Sequence, residues 1–186
     1  MRDLTLERFL DQVAAREAAP AGGVVVATTI AAAAGLVAMA ARFADDLEDG
    51  QELAAAADRT RDESLDLGEQ DAVAYGEVLR AARSAQDGDR RQRIRAALTT
   101  AAEVPLGMIA RAQDVGRLAA RLAREGNPNL RGDALTALTL AEAAARSAAL
   151  LVRLNVEAGA LDPDLLSRAW GGCRDLAAEL DGALGE

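Results

Sequence analysis

Apolar and polar positions recur with a helical period almost from the first residue. Leu6, Phe9, Leu10 and Val13 share one face, with Asp3 or Thr5 placed as a cap, which predicts a helix over about residues 4–17. Pro20, Gly22 and Gly23 interrupt the pattern, and a nearly all-apolar helix follows to about Asp46. A third helix is expected from about Gln51 to Ala85, stopped by Asp87-Gly88-Asp89. The fourth runs from Arg90 to Arg124, with Pro105 expected to kink it or to divide it at Val104. GNPNLRGD, residues 126–133, concentrates turn formers: Asn127 suits a left-handed helix C-cap, Pro128 stops the helix and Asp133 caps the next one. A fifth helix is expected over 133–158 and a sixth over 163–184. No internal repeat or low-complexity linker divides the chain. The expectation is an all-α protein, a single domain over residues 1–186, in which about six helices surround a long Ala-rich one.

The uncharged run from Ala18 to Ala41 is long enough to span a bilayer. Its strong insertion residues, Val24, Val25, Val26, Ile30, Leu36 and Val37, contribute only roughly −2 to −4 kcal/mol, opposed by Pro20, glycines and threonines. No aromatic belt or basic cluster flanks it, and DDLEDG follows. Ala38-Met39-Ala40 resembles a signal cleavage motif, but the region before it is long and net acidic. The run is therefore expected to be the core helix of a bundle rather than a membrane span.

Composition narrows the chemistry. The chain is 51% hydrophobic but 2% aromatic, so Ala, Leu and Val must fill the core. It contains no His and no Lys; all 21 basic residues are Arg. Without His, the commonest general base and metal ligand are missing, so no metal site is expected and a Glu-x-x-His di-iron bundle is excluded. A net charge of −9 repels polyphosphate backbones, so nucleic acid is not an expected partner, although Arg90, Arg91, Arg93 and Arg95 form a local basic cluster. The single cysteine, Cys173, permits no internal disulfide and suits a reducing, cytoplasmic compartment; it reads as a small core filler.

Two polar residues interrupt apolar faces. On the third helix, Leu67, Asp71, Ala74, Tyr75, Val78, Leu79 and Ala82 form an inward stripe in which Asp71 is the intruder. A carboxylate so placed is either a proton carrier with a raised pKa or half of a buried Asp–Arg pair. Tyr75, one turn on, is either a hydrogen-bonding neighbour of substrate or Asp71, or an aromatic filler. On the fifth helix, Glu142–Arg146 and Arg153–Glu157 mark the polar side. Nearly opposite, Ala141, Ala144, Ala148, Leu151 and Val152 surround Asn155, which is either a ligand contact or a core amide tying helices together. Gly22 and Gly23 open a helix whose free N–H groups suit an anion or a polarised carbonyl, or merely permit a turn.

In this order the pieces resemble the formiminotetrahydrofolate cyclodeaminase and methenyltetrahydrofolate cyclohydrolase family. The matching segments are PAGGVVVA at 20–27 with Met39 beyond it, EQDAVAY carrying Asp71 and Tyr75, AAEVPL at 101–106, GNPNLRGD, and VRLNV carrying Asn155. The resemblance spans nearly the whole chain. It implies an all-α homodimer with a folate pocket where helices of two subunits meet, a tetrahydrofolate derivative as substrate, and no separate cofactor. It implies ring closure of 5-formimino-tetrahydrofolate to 5,10-methenyl-tetrahydrofolate with loss of ammonia, or hydrolysis of the methenyl compound to 10-formyl-tetrahydrofolate. Asp71 and Asp133 become the implied catalytic groups; Gly22, Gly23, Tyr75, Asn127, Asn129 and Asn155 become the implied substrate contacts. Ala21 and Val24 stand where the family pattern has Gly and Ser, and the family's Lys-containing segment is acidic here. The alternative expectation is a non-catalytic helical dimer that binds a folate or another small anion.

Overall fold

The computed structural model describes residues 2–84 and 88–185. Six α-helices and one 3-10 turn account for its regular structure, with no strand among the described residues: α1 (Leu6–Ala14), α2 (Gly22–Arg42), α3 (Gly50–Arg83), α4 (Arg90–Glu125), the turn Pro128–Leu130, α5 (Arg131–Gly159) and α6 (Asp164–Gly185). The predicted end of the third helix at Ala85 and the stop at Asp87 lie outside the described residues.

α2 is apolar because it is surrounded. Ile30, Ala33, Ala34 and Val37 are fully buried, and the helix packs against α3, α5 and α4. Alanine dominates the core it shares with them: Ala57, Ala102, Ala112, Ala137, Ala145 and Ala149 are all fully buried. Such small side chains let helix axes approach closely. At Gly116 of α4 even a methyl group would strike the end of the Leu176 side chain of α6, which would have to move aside.

The N-terminal helix is shorter than its pattern predicts. Thr5, not Asp3, caps it, its Oγ1 accepting from Arg8 N at 3.3 Å. Only Phe9 is buried; Leu6 and Leu10 are 71% and 55% exposed, so the apolar face of α1 is mostly uncovered.

Pro105 neither ends nor divides α4, which runs unbroken through it. Proline lacks the N–H that would bond the carbonyl four residues back, which is Ala101. Asn155 of α5 supplies the replacement, its Nδ2 donating to Ala101 O at 2.8 Å. The core-amide alternative thus describes this side chain's contact, and the partner of the amide is the carbonyl that Pro105 orphans.

At the far end of the bundle Arg121 of α4 grips Asp49, just ahead of α3, with two hydrogen bonds of 2.7 and 3.0 Å, and reaches Glu125 at 2.9 Å. The guanidinium holds the Asp49 carboxyl below its usual range. The GNPNLRGD segment is less of a loop than its composition predicts. Asn127 is extended at φ −65°, not left-handed; its Oδ1 accepts from Asn129 N at 3.0 Å, and its Nδ2 donates to Phe43 O at 3.2 Å. The helix then starts at Arg131, so Asp133 lies in its first turn rather than at its cap.

Asn155→Ala is expected to cost about 1–3 kcal/mol in chemical denaturation, because the buried Ala101 carbonyl loses its donor. In a Pro105→Ala background the restored backbone N–H can serve that carbonyl, so the same substitution should cost markedly less. Equal costs in both backgrounds would refute the pairing.

Candidate functional site

The start of α2 and the middle of α3 meet in one unusual contact. Gly23 is buried, and a Cβ built there would fall inside the Asp71 carboxylate. The acid therefore lies flat against the α2 backbone in space that only glycine leaves open. Asp71 is half-buried, and burial, the one resolved cause, raises its carboxyl above the usual 3.8. The Asp–Arg alternative does not describe it: no salt bridge engages Asp71 among the described residues.

Other groups at this end suit a polar ligand. Ala21 offers no side-chain cap to α2, so the first N–H groups of that helix find no side-chain acceptor there. Thr28 and Thr29, one turn further, spend their hydroxyls on Val24 O and Val25 O at 2.8 and 2.9 Å. Tyr75 is 43% exposed and is not the aromatic filler of the core; it follows Asp71 by one turn of α3. Two hollows flank the contact. One, about 380 Å³, opens beside Gly22, Val25, Ser147 and Leu151; the other, about 500 Å³, lies between α3 and α4 beside Gln70, Val73, Thr100 and Val104. Asp71 is not among the residues lining either one.

The remaining residues singled out in the sequence are elsewhere. Gly23 and Phe43 stand twenty residues apart on one helix and its cap, about 30 Å at 1.5 Å per residue. Asp71 touches the first position and Asn127 bonds the second. Within one chain, Asn127, Asn129 and Asp133 therefore lie at the opposite end of the bundle from Asp71. Asn155 is bonded to α4 as described. Cys173 is buried, and desolvation pushes its thiol up to about 11, which keeps it protonated.

Sequence reasoning marked Pro105 and Asn155 separately and missed that they are partners. The signal was present: an apolar-face asparagine in a helix facing one that contains proline. The Arg121–Asp49 clasp, between groups far apart in sequence, left no local trace.

Comparison with known proteins adds to this geometry. Among curated proteins none matches the chain. Among solved structures, formiminotetrahydrofolate cyclodeaminase from Thermotoga maritima superposes with a TM-score of 0.84 at 26% identity, covering 98% of this chain and 92% of that one. The model of the formiminotransferase-cyclodeaminase family matches residues 5–166. With most of its length matched, the chain belongs to that family.

Proposed function

We propose that this protein is a folate-dependent one-carbon enzyme in which Asp71 carries the proton. The observation that carries the reading is the Asp71 carboxyl, raised by burial and lodged against Gly23, in a chain of this family. In the cyclisation, the N10 amine of 5-formimino-tetrahydrofolate attacks the carbon of the protonated formimino group, CH=NH2+, and loses its proton to the carboxylate. The same proton then goes to the departing amine, the C–N bond breaks, and ammonia leaves with 5,10-methenyl-tetrahydrofolate. In the hydrolysis, water adds to the carbon of the methenyl cation and one of its protons passes through the same group to N5 as that C–N bond opens; the other leaves to solvent as the hydroxyl becomes the formyl C=O. Either route needs one group that accepts and returns a proton near neutral pH, which a raised carboxyl does better than an ordinary one.

The Asn-rich turn enters this reading through a second copy of the chain. Val25, Ala32 and Phe43 of α2 and its cap are exposed and share one uncharged stripe; Ala143, Ser147, Leu150 and Leu154 make another on α5. Val25 and Ser147 line the same hollow, so the two stripes are neighbours. We infer an antiparallel homodimer centred near Ala32 and built on this face. It sets the Asn127–Asn129 end of one copy beside the Gly23–Asp71 end of the other, and bridges the 30 Å that separate them in one chain.

One feature favours the second reading, a family member that binds without turnover. Ala21 and Val24 provide no hydroxyl or other polar group at the α2 start. Incubation with 5-formimino- and 5,10-methenyl-tetrahydrofolate, followed by methenyl absorbance, separates the two. A change is expected; none at high enzyme concentration would leave only binding.

Asp71→Asn is expected to lower turnover roughly 100-fold or more. It should also stabilise the fold at pH 7. A raised folded pKa contributes stability that is present below the unfolded value near 3.8 and is lost as pH rises through the folded value, and Asn escapes that loss. The difference in Tm should vanish below about pH 4. A variant that is destabilised at pH 7 would contradict the burial account, and unchanged turnover would reject the proton role. Gly23→Ala displaces the carboxylate and should cost about 100-fold in kcat. It should add little in the Asp71→Asn background, and full additivity would show that the two act separately.

Mixing denatured Asp71→Asn and Asn129→Ala chains and refolding them together tests the shared site. Heterodimers hold one intact pairing, so about a quarter of wild-type activity should return from two inactive parents. No recovery, with heterodimers demonstrably formed, would overturn the antiparallel arrangement.

A further inference from the structure

The chain has one Trp, one Tyr and two Phe, and it leaves one of these phenylalanines in the open: Phe9 is buried, but Phe43 is 58% exposed. The backbone that carries Phe43 is fixed. Its N–H bonds Met39 O at 3.3 Å at the end of α2, and its carbonyl accepts from Asn127 Nδ2 at 3.2 Å. The ring therefore stands at one end of the exposed, uncharged stripe that Val25 and Ala32 continue along α2. At the other end of that stripe lies the hollow of about 380 Å³ beside Pro20, Ala21, Gly22, Val25, Ser147 and Leu151. Its volume is at the lower end of those that hold small ligands. Its walls are mostly carbon, and Ser147 has spent its hydroxyl proton on Ala143 O at 2.9 Å.

We infer that Phe43 of a second copy closes this hollow and stacks on the flat ring of the substrate bound in it. The inference rests on the folate and antiparallel-dimer reading above and adds to it the residue that holds the ring. Ala21 and Phe43 each lie about three helical turns from Ala32, roughly 16 Å along the axis. A two-fold axis at Ala32 therefore sets Phe43 of one copy against Ala21 of the other, at the mouth of the hollow. Because the separation is close to a whole number of turns, both residues stay on the side that faces the second copy. A flat heteroaromatic ring between Phe43 and the carbon walls is held by removal from water and by offset stacking rather than by side-chain hydrogen bonds. Its polar edge is left for the first N–H groups of α2, which have no side-chain cap. Gly22 borders the hollow and its neighbour Gly23 receives Asp71, so a ring seated there lies next to the residue that the acid touches.

Calorimetric titration of the full chain with 5-formyl-tetrahydrofolate tests this without turnover, at chain concentrations where sedimentation shows each variant to be dimeric. Phe43→Ala should weaken binding about tenfold or more. Phe43→Leu keeps the apolar bulk but not the flat face and should weaken binding severalfold, whereas Phe43→Tyr should bind like wild type. Refolding Phe43→Ala chains together with Gly22→Leu chains decides which copy supplies the ring. A Cβ at Gly22 meets nothing within 4 Å, so leucine there enters the hollow of its own chain without disturbing the fold. Heterodimers then hold one open hollow facing one intact Phe43, and about a quarter of the wild-type number of tight sites should return. No recovery, with heterodimers formed, overturns the inference, as does a dimer in which the Ala and Leu variants bind like wild type; in both cases the folate and dimer reading stands. A wild-type chain that is monomeric, or that does not bind the probe, overturns that reading and this inference together.

Discussion

A core built largely from alanine has few side chains long enough to fill the space between separated helices, so α2, α3, α4 and α5 pack closely. Everything distinctive about this bundle follows from that spacing. Where backbones are so close, a side chain of any size displaces its neighbour, and glycine becomes the means of admitting one. Gly116 admits Leu176, and Gly23 admits the carboxylate of Asp71. The first fills the core; the second sets a chargeable group against a helix, where water reaches it poorly and its proton is held more tightly. The same physical device thus serves packing in one place and acid–base chemistry in another.

Long straight helices have a second effect: they fix distances. α2 ties the Gly23–Asp71 contact at its start to the Asn127–Phe43 bond beyond its end, and no loop movement within one chain brings those together. The sequence pattern made the helices legible because amphipathic period, Pro, Gly and charge all agree about them. It also made Asp71 legible, since a carboxylate amid Leu67, Ala74 and Val78 contradicts its own stripe. It could not show which end of the bundle each motif occupies relative to another, because order along a chain says nothing of separation across an up-and-down bundle.

The misread details share one cause. The division of α4 at Pro105, the left-handed cap at Asn127 and the cap at Asp133 are local preferences, and in each place a tertiary contact or a neighbouring turn prevailed. Asn155 keeps α4 continuous; Phe43 O and the 3-10 turn take up Asn127; the turn starts α5 before Asp133 is reached. Leu6 and Leu10 err the other way: their periodicity is helical, but the described residues leave both largely exposed. Periodicity reports which residues share a side, not what that side faces.

The bond from Asn155 to the Ala101 carbonyl also imposes a direction on change. A carbonyl oxygen has two lone pairs, so a lineage that first replaces its proline gains an extra donor and loses nothing, after which the asparagine is free to drift. A lineage that first replaces the asparagine strands a buried acceptor and is selected against. The pair behaves as a ratchet in descent: one route out is open and the other is closed, and a relative that has the asparagine without the proline marks the midpoint of the open one.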